Sequence, residues 1–159
     1  MVNVWTNFFI AQCSASAALL GLLFVSVSLN LNKILAFRVL ANRALIAMLL
    51  LLAILIVASL MLIPGQSLAA NALEVLCVAI SVSAAGTIAG IGGIRDTAPD
   101  FKRYARFVLL EVSMLPYLVA GIMLLAERTA AFYWLAAAMI LSFITSAIDA
   151  WVLLVEINR

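Results

Sequence analysis

The sequence predicts an all-α membrane protein, five transmembrane helices in a compact bundle with the N-terminus outside and the C-terminus cytoplasmic. Three observations carry the prediction. The 159 residues are 68% hydrophobic and 10% charged, whereas a soluble domain carries about 25% charged residues. A bilayer core of roughly 30 Å needs about 20 apolar residues per crossing, and the apolar runs near 7–29, 44–63, 73–94, 107–126 and 131–155 nearly exhaust the chain. Eight of the nine Lys and Arg residues fall on one side of that topology, namely Lys33, Arg38, Arg43, Arg95, Lys102, Arg103, Arg106 and Arg159, leaving only Arg128 opposite. Short basic loops stay cytoplasmic during insertion, which sets the orientation. Residues 1–159 read as a single transmembrane domain.

The first span, about Asn7 to Leu29, opens with Trp5, Phe8 and Phe9 as an aromatic belt at the outer interface. No Lys or Arg precedes it, so the basic start of a secretory signal peptide is missing and the helix is expected to be kept as a span. Ile10-Ala11-Gln12-Cys13 does not make a lipoprotein processing box, because Gln12 is too large for the small residue required there. Leu31 to Arg43 mixes apolar residues with three cations and suits a short interfacial helix or an extension of the flanking spans.

Ser59 is the one clearly polar residue of the second span, Ala44 to Ile63, so that span is expected to face lipid. Pro64-Gly65-Gln66-Ser67 then predicts an external turn. The third span, about Leu73 to Ile94, leads into the largest cytoplasmic loop, Arg95 to Arg106. The fourth span is Phe107 to Ala126, Glu127-Arg128 makes a tight external turn, and the fifth span is Ala131 to Val155. Phe132, Tyr133 and Trp134 mark its outer interface and Trp151 lies toward its inner one.

Ala79, Ser83, Gly86, Gly90 and Gly93 recur at spacings of four and three on one face of the third span, with Gly86 and Gly90 a GxxxG pair. Lipid gives little hydrophobic drive between helices, so association needs close backbone approach, which small residues permit. The first span repeats the pattern with Ala11, Ser14, Ala18, Gly21, Val25 and Ser28. The expectation is that spans one and three pair along these seams, within a subunit or between subunits.

Glu111 and Asp149 are the candidate ion-pathway residues, with Thr145 and Ser142 extending a polar line from Asp149 at helical spacing. A charged group inside a span is costly and is compensated by pairing or by a water-filled cavity. Both acids lie several residues from the cytoplasmic boundary, where they are expected to be able to meet or to pair with Arg103, Arg106 or Arg159. Pro116 removes a backbone hydrogen bond just past Glu111 and predicts a kink. Cys13 and Cys77 read as buried small apolar residues, with a disulfide as the alternative.

The chain has no histidine and two cysteines, so a Ser-His triad, a His-ligated metal, a histidine-held haem and a four-thiolate site are excluded. Gly90-Ile91-Gly92-Gly93 lacks the third glycine and the preceding strand of a dinucleotide fingerprint. No enzyme, cofactor, metal or nucleic-acid partner is expected. The basic loops face lipid headgroups instead.

The stretch Ala15-Ser16-Ala17-Ala18-Leu19-Leu20-Gly21-Leu22-Leu23-Phe24-Val25-Ser26-Val27-Ser28-Leu29-Asn30, with Pro64-Gly65-Gln66, resembles a group of small bacterial multi-pass inner-membrane proteins, some labelled as modulators of a membrane-bound protease. The resemblance covers mainly the first 70 residues, implies a bacterial inner membrane and brings no catalytic residue. The expected function is a small homo-oligomeric channel or pore passing a small cation or proton. The alternative is a non-conducting accessory or scaffold protein that binds or regulates another membrane protein.

Overall fold

The computed structural model describes the backbone of residues 2–94 and 101–157, and side-chain surroundings for 4–37, 39–89 and 107–155. Among the described residues six α-helices follow one another: α1 (Val2–Leu29), α2 (Leu31–Ala36), α3 (Arg38–Met61), α4 (Leu68–Ile94), α5 (Phe101–Leu125) and α6 (Ala131–Ile157). All but α2 are long and apolar enough to cross a membrane, the pattern of a multi-pass membrane protein. Several helices outrun their apolar sequence runs, because a helix continues through polar residues until a backbone stop. Thus α1 starts at Val2 rather than Asn7, α3 at Arg38 rather than Ala44, and α4 at Leu68 rather than Leu73.

The stops are physical. Phe37 takes an extended conformation (φ −124°, ψ 107°) between α2 and α3, so the basic stretch forms a separate short helix, anchored by the buried Ile34. Gly65 supplies φ 77° in the Pro64 turn. After α5, Glu127 itself adopts φ 53°, and the Arg128 N–H donates to the Met123 carbonyl at 2.9 Å. That capping pattern usually takes glycine at the left-handed position.

Helices α3, α4, α5 and α6 close a ring in which each packs on its two ring neighbours, and α1 lies outside it along α3. The two tight turns, at Pro64 and at Glu127, share one end of the bundle, called here the turn end. The α2 segment and the start of α3 mark the opposite, basic end. Trp5 stacks on Phe132 at 5.9 Å and meets Tyr133 edge-on at 5.0 Å, which ties α1 to α6 at the turn end. Phe9 in that cluster is fully buried, so the first aromatic group is partly core rather than wholly an interfacial belt.

Two packing expectations are overturned. Span two is not given over to the outside of the bundle: α3 is half buried, more than any other span, with Leu45, Leu52 and Ile56 left exposed, while α1 is 11% buried. Its small and branched residues Ala47, Ala53, Ile54, Val57 and Ala58 are core. Nor do spans one and three pair. The α4 seam turns to α5, where Gly86 receives the side chain of Leu110, and α1 packs on α3 instead, with the Cys13 Sγ 3.5 Å from the Ser59 hydroxyl.

Candidate functional site

The interior of the ring divides into two halves along its axis. Toward the turn end it is apolar, built from Leu50, Ile54, Met61, Leu124, Leu135 and Met139, all essentially inaccessible. Toward the basic end a polar group is buried beside Leu40, Leu110 and Leu153. Arg43, Ser113, Ser142, Thr145, Ser146 and Asp149 are all buried there.

Helical geometry assembles this polar half. Ser142, Thr145, Ser146 and Asp149 fall within about one third of the α6 circumference at 100° per residue. Hydrogen bonds fix where that face points. The Ser113 and Thr145 hydroxyls lie 3.0 Å apart, which sets one edge against α5. The Ser146 hydroxyl donates to the Ala47 carbonyl at 3.0 Å, which sets the other against α3. Asp149 lies angularly between Thr145 and Ser146 on the helix. Because α3 and α6 are antiparallel, Arg43, one turn before Ala47, comes to the level of Asp149, about one turn beyond Ser146.

Arg43 is 8% exposed, and its Nε and Nη1 have no hydrogen-bond acceptor. Asp149 is 6% exposed and is engaged by a neighbour. At the other end of the column the Tyr117 hydroxyl approaches Ser142, yet neither oxygen is in hydrogen-bonding position with any group. The column from Asp149 to Ser142 spans about 10 Å at 1.5 Å per residue. Beyond Ser142 the apolar half begins, so within one subunit the polar column is blind.

Of the sequence-predicted pathway residues, Asp149, Thr145 and Ser142 are brought together and Glu111 is not. Glu111 accepts from the Thr87 hydroxyl at 3.5 Å and so points to α4, while Ser113, two residues on, points to α6. A step of two residues turns 200° around a helix, which separates the acids onto different sides of α5. Arg103, Arg106 and Arg159, the expected partners, lie outside the described side chains. So do the surroundings of Gly90 and Gly93. Helix α5 continues unbroken through Pro116.

The other small-residue seam is open. Ala11, Ser14, Ala18, Gly21, Val25 and Ser28 are all exposed, and a Cβ on Gly21 would meet nothing within 4 Å. Cys13 and Cys77 are both free thiols, and Cys77 is exposed rather than buried. Among the described residues no group of three His, Cys, Asp or Glu comes together.

Sequence reasoning missed Arg43, Ser113 and Tyr117. Arg43 reads as a loop charge because it precedes the apolar run, whereas the helix starts five residues earlier, at Arg38. Ser113 and Tyr117, four residues apart on one helix face, were a legible signal beside Pro116. No protein-family model, curated protein or solved structure matches this chain.

Proposed function

We propose that this chain is a non-conducting accessory or scaffold protein that works as a homo-oligomer, its first helix being the element through which copies join. The observation that carries this reading is the exposed small-residue stripe of α1, from Ala11 to Ser28. Small residues facing lipid forgo the close contacts that drive helix association, and a second helix on the same stripe restores them. A two-fold pairing uses one patch on both copies, so a single stripe suffices. The charge bias supports an orientation with the basic end cytoplasmic, and the resemblance of the first span supports a bacterial inner membrane. On this reading the protein has no enzymatic activity.

The test is cross-linking of the full chain in membranes, with Cys13 and Cys77 replaced. Cysteine at Ala18 should give a product of twice the chain mass, and cysteine at Leu52, exposed on α3, should not. Adding Gly21→Leu should abolish the product. Equal cross-linking at both positions, or none at Ala18, sinks the proposal; a product of another mass makes α1 the docking helix for a different protein.

The polar column favours a second reading, passage of a small cation or proton, with Asp149, Thr145 and Ser142 as its lining and Glu111 apart from them. Its blind end requires the apolar half to open, or a route between subunits. Proton flux into liposomes that survives Asp149→Asn unchanged would remove this reading.

A further inference from the structure

A second group of polar side chains sits at the turn end, away from the column and from the α1 stripe. Gln66 lies in the Pro64 turn and its Nε2 donates to Glu74 Oε1 at 2.6 Å. Asn71 lies one turn before Glu74 on the same side of α4, since residues three apart share a helix face. It is 3% exposed. Three oxygens of this group, Gln66 Oε1, Asn71 Oδ1 and Glu74 Oε2, are buried without any hydrogen-bond partner.

The chemistry of that orphan set is one-sided. A carboxylate has only acceptors, and the amide oxygens add two more. The orientation of Gln66 is fixed, because turning its amide over would set oxygen against the Glu74 carboxylate. Each buried unpaired acceptor costs about 1 to 3 kcal/mol and more when charged. A donor or a positive charge from outside the group would satisfy all three oxygens at once. The basic residue of the neighbouring turn, Arg128, is exposed and does not supply it.

We infer that Gln66, Asn71 and Glu74 form a binding site for a hard, oxygen-seeking cation at the turn end of α3 and α4. One carboxylate with two neutral oxygens suits an ion such as calcium, whose remaining positions are filled by water or backbone carbonyls. No sulfur or nitrogen ligand is present to favour a softer metal. The bound ion would hold the Pro64 turn against α4, because its ligands come from both.

The test uses the full chain in non-ionic detergent after chelation, with calcium chloride as the probe and magnesium and sodium chloride as comparisons. Calcium a hundredfold above its dissociation constant should raise the melting midpoint by about 5 to 10 °C, and direct titration should give one ion per chain. Glu74→Gln should abolish the rise. Should Glu74→Gln fail to fold, Asn71→Leu, which keeps the carboxylate, should still fold and bind calcium at least tenfold more weakly. Glu127→Gln, in the other turn, should leave the rise unchanged. A shift with magnesium or sodium in place of calcium, abolished by the same variants, keeps the site and changes its ion. No shift with any of the three ions, or a shift that survives both Glu74→Gln and Asn71→Leu, overturns the inference.

Discussion

Helices α1 and α3 are both long and predominantly apolar, yet α3 is the most buried span of the bundle and α1 the least. Their compositions point the other way. Helix α1 carries Gln12 and several serines and α3 has a mean hydropathy of 3.0, the highest of the five. Lipid tails are as apolar as a protein core, so hydropathy reports membrane compatibility and says little about which neighbour a helix meets. What separates the two helices is shape. In α3, alanines at 44, 47, 53 and 58 lie among large aliphatic residues and admit neighbours on several sides, whereas α1 gathers its small residues into one stripe that faces away from the ring.

Replacing glycine or alanine by leucine sharpens this contrast most. Gly86→Leu places its side chain where Leu110 already sits and Ala53→Leu overfills the core of α3, so each should destabilise the fold by about 1 to 3 kcal/mol, with Gly86→Leu the greater. Gly21→Leu on α1 should cost less than about 0.5 kcal/mol. Unfolding in mixed micelles reads all three, and equal losses would erase the distinction between ring and outer helix.

A smaller effect is expected for hydroxyls. Ser146→Ala removes the bond to the Ala47 carbonyl and should cost about 0.6 kcal/mol, up to 2. Ser14→Ala on the exposed face should be silent. A near-neutral change is also expected at Tyr117→Phe, which removes a hydroxyl that has no partner. Removing such a group is close to neutral or stabilising. A loss above about 1 kcal/mol there would mean that the hydroxyl is satisfied in the membrane, by water that bridges it to Ser142.

Much of the fold was legible because membrane spans announce themselves by length and the turns by Pro64, Gly65 and the Glu127-Arg128 pair. The order of helices around the ring was not. It depends on which of several small-residue faces finds a complementary neighbour, and the α4 seam was matched to α1 when Leu110 of α5 was its partner. The polar column was half legible: the spacing of Ser142, Thr145 and Asp149 put them on one face, as found. Glu111 was drawn to Asp149 by depth alone, since depth along the bundle can be counted from sequence and direction around α5 cannot. Gln66, Asn71 and Glu74 went unread because each is ordinary near a turn, and only their shared burial sets them apart.

Arg43 belongs to two moments in the life of the chain. Basic residues are weighed while segments are being inserted, before any helix has met its neighbours, and on the proposed orientation Arg43 would at that moment add to the charge that keeps its flank from crossing. Once the ring closes, the same guanidinium is drawn inside, at the level of Asp149. Substituting it would spare the first event, because the proposed topology assigns seven other cations of the sequence to the same flank, and would strike the second. A variant at this position should therefore enter the membrane the right way round and fail afterwards, at assembly.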